Sequence, residues 1–108
     1  MMVFKGQLLE EELDRAEQEL RDVLEQMPPA FDMISDVSAA EKLSAAAVER
    51  IRRMGQLIVD AGLRTHVRVV GRSGQAALQF QRISRVVGYD SRLAYSLMEA
   101  EELLDASP

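Results

Sequence analysis

Four times along this chain, a short apolar run gives way to a segment whose apolar residues fall on one helical face. This repeated switch of period constrains the fold more than any other feature. Strands separated by helices need crossover connections, so they pair mainly in parallel. The first unit is Val3-Phe4-Lys5-Gly6-Gln7-Leu8, followed by Leu9, Leu13, Ala16, Leu20, Val23, Leu24 and Met27 at helical spacing. Glu10, Glu11 and Glu12 suit the positive end of that helix's dipole, and Pro28-Pro29 ends it. The second unit runs from Phe31 to Val37, then through Leu43, Ala47, Ile51, Met54, Ile58 and Ala61 to Gly62, a C-terminal cap. Ser38-Ala-Ala-Glu41 has capping-box spacing and predicts a helix start at Ser38, while Gly55 within the helix suggests close packing.

The third strand, Thr65 to Val70, is closed by Gly71, and a helix after Gly74 turns Ala77, Phe80, Ile83, Ser84 and Val87 inward until Gly88. The fourth is Arg92 to Tyr95, after which Ser96-Leu-Met-Glu99 forms a second capping box before Leu97, Ala100, Leu103 and Leu104. The predicted order is β-α-β-α-β-α-β-α. It makes one layered α/β domain over residues 3–105, with a mainly parallel sheet of four or five strands and flanking helices. The first strand is also free to pair antiparallel with a neighbour or a partner.

Composition narrows the chemistry. A domain of 108 residues hides only about two-thirds of its unfolded surface, so pairing with a second copy is expected to hide more. The chain has no cysteine and one histidine, His66, which removes disulfides, thiolate nucleophiles and His-pair or Cys-based metal sites within one chain. No apolar run approaches membrane-spanning length, and the start of the chain lacks a signal-like apolar core, so the expected location is cytoplasmic.

Charge is segregated. Residues 1–49 hold 4 basic and 12 acidic side chains, whereas residues 50–96 hold 9 arginines against Asp60 and Asp90. The basic middle either binds anions or meets the acidic first helix in the folded chain, and the second is the stronger expectation. A pI of about 4.9 and few aromatics argue against nucleic acid as partner.

Three constellations bear on function. The turn Gly71-Arg72-Ser73-Gly74, with Arg68 nearby, offers backbone donors and a guanidinium for a phosphate or carboxylate, although its spacing is neither a P-loop nor a dinucleotide fingerprint. Its other reading is a tight strand-to-helix turn. Asp32 and Asp36 share one side of the second strand and could serve acid–base chemistry, but no His or Lys accompanies them locally. His66 and Arg68 alternate with Val67 and Val69 on the third strand, which reads as a half-exposed polar face. Met27, Met33, Met54 and Met98 occupy apolar positions and are expected to fill the core. No catalytic residue, cofactor or metal site is assigned.

Phe31-Asp-Met-Ile-Ser-Asp-Val-Ser38, the following helix, His66-Val-Arg-Val-Val70 and the ending Gly88-Tyr89 … Ser96-Leu-Met-Glu-Ala-Glu-Glu-Leu-Leu104 together resemble the STAS-like domains of bacterial anti-sigma-factor antagonists. That family's signalling members carry a phosphorylated Ser in an Asp-Ser-x-Gly context. Here the matching stretch, Ser38-Ala-Ala-Glu-Lys-Leu-Ser44, has neither the Asp-Ser pair nor the glycine. The resemblance implies a non-catalytic regulatory module that binds a protein partner or a second copy, with Asp36, Ser38, Glu41 and Ser44 at the docking surface. The alternative is a domain binding a small ligand or anion at the Gly71–Gly74 turn.

Overall fold

The predicted alternation holds in a computed structural model, which describes residues 2–71 and 74–105. The elements are β1 (Met2–Gly6), α1 (Glu10–Gln26), β2 (Phe31–Ala40), α2 (Ala45–Ala61), β3 (Leu63–Val69), α3 (Gly74–Val87), β4 (Ser91–Ala94) and α4 (Leu97–Asp105). The sheet order is β1-β2-β3-β4 and every neighbouring pair is parallel, so β1 does not take the antiparallel option. One register row crosses the whole sheet through Met2, Ser35, Arg68 and Leu93.

A sequential parallel order with crossovers of one hand places the connecting helices on one face. Leu13 and Leu20 of α1, Ala47, Ile51, Met54 and Ile58 of α2, and Ala76, Phe80 and Ile83 of α3 join Phe4, Phe31, Val37 and Val70 in the larger core. The short α4 covers the opposite face, where Ala100 packs with Val67, Val69 and Ala94. Burying these side chains drives assembly, since each large apolar residue removed from water contributes about 1.5–3 kcal/mol.

The strands of the sequence reading shift by one or two residues at their ends, and the largest difference lies between β2 and α2. The second helix does not start at Ser38. β2 continues to Ala40, and Ser44 is the N-cap of α2, accepting from the Ala47 amide at 3.1 Å. The Ser38 hydroxyl instead donates to Asp36 two residues earlier on the same strand. The methionines also divide: Met54 is core, but Met98 is 71 % exposed and Met27 is exposed as well. Gly62 caps α2 as predicted, at φ 107°, its amide reaching the carbonyls of Ile58 and Val59. The segregated charges meet across α1 and α2, where Arg50 pairs with Asp14 and Glu17, and Arg53 with Glu17.

Candidate functional site

Strand alternation in β3 sends Val67 and Val69 toward α4, and His66 and Arg68 under the helical layer. The half-exposed reading of these two residues is therefore corrected: His66 is 3 % and Arg68 1 % exposed. The pattern along the strand is as predicted, but three helices roof the face that the polar residues occupy.

Beneath that roof lies a polar chamber. His66 has Nε2 2.8 Å from the Ser35 hydroxyl of β2 and Nδ1 2.6 Å from the Ser91 hydroxyl of β4. Its ring meets Tyr89 edge-on, with centroids 5.3 Å apart. Burial, reinforced by the nearby Arg68 charge, pushes the imidazole pKa down to about 3. It is neutral at pH 7, one nitrogen donating and the other accepting.

Arg68 lies over the Phe80 ring, 5.7 Å from its centroid, and hydrogen-bonds Tyr89. Burial lowers its pKa, but a guanidinium starts so high that it remains cationic. Burial raises the Tyr89 phenol, which therefore stays protonated. Among the described residues, Nε and Nη1 of Arg68 have no hydrogen-bond partner and no ion pair includes the side chain. The chamber thus holds a buried positive charge without a carboxylate, an arrangement that costs several kcal/mol when uncompensated. A cavity of about 20 Å³ adjoins it, lined among others by Ser35, Arg68, Phe80, Tyr89, Met54 and Gly55.

The anion turn foreseen in the sequence is not assembled around Arg68, whose side chain lies in this interior. Gly71 has φ 51°, and a Cβ there would sit 2.9 Å from the Ser38 Cβ, so glycine is needed for this close approach. Arg72 and Ser73 lie outside the described residues, and Gly74 is the first residue of α3.

The residues assigned to a docking surface lie along one stretch, Asp36 and Ser38 in the last part of β2 and Glu41 and Ser44 in the loop from β2 to α2. Asp36 Oδ1 accepts from the Ser38 amide at 3.0 Å and its hydroxyl at 2.6 Å, the Glu41 amide donates to the Gly6 carbonyl at 3.0 Å, and Ser44 caps α2. Ser38, Glu41 and Ser44 are exposed. Asp32 does not converge with Asp36. Its carboxylate is held by Nε and Nη2 of Arg64 at 3.0 and 2.7 Å, and four residues along a strand separate the two acids by about 13 Å.

Because all four strands run together, the β2–α2 loop and the β4–α4 turn emerge on the same edge of the sheet. There Leu93, Tyr95, Leu97 and Met98 are exposed, Tyr95 to 69 %. Among the described residues, no group of three or more His, Asp or Glu side chains could hold a metal, and no helix is long and apolar enough to cross a membrane. Ser35, Tyr89 and Ser91 have no part in the sequence-based site. The one signal for them is a serine at an inward-facing position of an apolar strand, opposite Arg68. Comparison with protein-family models, curated proteins and solved structures finds no match.

Proposed function

We propose that this chain is a non-catalytic interaction module of STAS-like kind, which pairs with a second copy of itself through the edge where its strands end. The observation that carries the reading is the run of exposed large apolar side chains at Leu93, Tyr95, Leu97 and Met98. Leu93 lies in the outer strand β4 and the others follow it, and among the described residues one side of β4 has no neighbour in the sheet. Apolar and aromatic anchors beside an open strand edge suit both side-chain packing and strand pairing. The neighbouring end of β2 with Asp36 and Ser38, and the β2–α2 loop with Glu41 and Ser44, supply a polar rim. The regulatory part of the reading rests on the family resemblance.

Sedimentation velocity on the full chain over a wide concentration range tests this directly. A concentration-dependent shift from monomer to dimer is expected. Tyr95→Asp and Met98→Asp, both at exposed positions, should weaken the dimer by about tenfold or more while leaving the monomer folded. A sedimentation coefficient fixed at the monomer value throughout would end the proposal.

A further inference from the structure

The buried charge in the chamber has a consequence separate from self-association. We infer that the cavity beneath α2 is an internal binding site for one small monovalent anion of chloride size, held by the Arg68 guanidinium and the Ser35 hydroxyl. Three observations converge. Arg68 is 1 % exposed and turns unpartnered Nε and Nη1 donors into the interior. The cavity it lines has about 20 Å³ of free space, room for one water-sized guest. Besides Arg68, its polar wall groups are Ser35 and Tyr89; these and the His66 and Ser91 side chains behind Ser35 are all uncharged in the fold, so among the described residues nothing supplies the compensating charge and a guest has to bring it.

Size and charge together define the ligand. Phosphate, sulfate and carboxylate metabolites need several times this space, whereas a chloride ion exceeds a water only slightly. Water fits and satisfies donors, but it leaves the guanidinium uncompensated. A halide does both, accepting from Arg68 and from Ser35. Ser35 can donate to the guest only if its proton is not committed to His66. The bound state therefore selects the tautomer in which His66 Nε2–H donates to Ser35, while Nδ1 accepts from Ser91.

The test is thermal unfolding of the full chain in sodium chloride, bromide or gluconate at matched ionic strength. Chloride and bromide should raise the midpoint saturably, by about 10 °C at about one hundred times the dissociation constant, with gluconate giving no such rise. In Arg68→Met, which fills similar space without charge, the halide dependence should vanish. In saturating chloride, the nitrogen-15 spectrum of His66 should show the Nε2–H tautomer.

Equal responses to all three salts, or an undiminished halide response in Arg68→Met, would overturn the site and leave water as its occupant. An Nδ1–H tautomer in saturating chloride would overturn it as drawn, with Ser35 as donor. If Arg68→Met does not fold, chlorine-35 line broadening on the unaltered protein decides. Saturable excess width displaced by bromide supports the site, and none overturns it.

Discussion

Nδ1 of His66 lies 2.6 Å from the hydroxyl of Ser91, while its Nε2 lies 2.8 Å from that of Ser35. One imidazole thus spans β2, β3 and β4 beneath the helices, and both contacts are made by the neutral ring. Its folded pKa of about 3, against 6.5 for a free imidazole, fixes the sign of the pH response. The unfolded chain takes up a proton below pH 6.5 that the folded chain refuses. Stability is therefore fully present above pH 6.5 and falls as the pH drops toward 3. The slope approaches about 1.4 kcal/mol per pH unit, and the total is roughly 5 kcal/mol. Urea unfolding between pH 7 and 5 isolates this effect, because His66 is the only histidine and carboxylates titrate lower. A flat profile over that range would show that the ring is accessible to protons in the fold.

Gly55 is the residue of α2 that lets Val87 and Tyr89 approach the helix. A Cβ placed there would meet Val87 Cγ2 at 3.4 Å and Tyr89 Cε1 at 3.5 Å, ordinary contact distances. Gly55→Ala therefore gains helix propensity without a clash and should stabilise by roughly 0.5–1 kcal/mol. Gly55→Val, which puts a β-branched residue in the helix and crowds Val87 and Tyr89 further, should destabilise. Chemical denaturation of the pair checks both signs. A destabilised alanine variant would mean that the helix and Tyr89 sit closer than described.

Asp32 is bound by two nitrogens of Arg64, and that hydrogen bonding holds its carboxyl below the ordinary range. The pair is solvent-facing, with the Arg64 side chain 46 % exposed, so its contribution is screened. Asp32→Asn should cost less than about 1 kcal/mol and leave self-association unchanged. A loss of several kcal/mol would show that the pair anchors the start of β2 against β3 rather than decorating it.

What the sequence reveals here follows physical locality. The alternation of Val67 and Val69 with His66 and Arg68 identifies a strand with two unlike faces, and the stripe from Leu43 to Ile58 identifies α2, because both patterns arise within one element. Which face of β3 is roofed depends instead on strand order and on three helices lying on one side, and no local pattern encodes that. Charge biased the expectation toward exposure for Arg68, since unpaired arginines are rarely interior. The chamber has no local signature for the same reason. Ser35, His66, Tyr89 and Ser91 come from three strands and a loop, and only the parallel register brings them together. The Arg50 and Arg53 pairs with α1 were accessible because opposite charges concentrated in successive helices have few other places to go.

The start of α2 offers the sharpest comparison between two serines that look alike in sequence. Ser38 and Ser44 each precede a helical stripe, and Ser38 has the better capping-box spacing. In the fold, Ser44 Oγ accepts from the Ala47 amide, satisfying a helix donor that would otherwise be free, whereas the hydroxyl and amide of the exposed Ser38 both donate to Asp36 near the end of β2. Ser44→Ala should therefore cost about 1 kcal/mol, the usual penalty for losing an N-cap. Ser38→Ala should cost no more than about 0.5 kcal/mol, because the Ser38 amide still donates to Asp36 and water replaces the lost hydroxyl contact. Equilibrium unfolding of both variants under one set of conditions measures the difference. The reverse order of cost would place the beginning of the helix at Ser38 and shorten β2 accordingly.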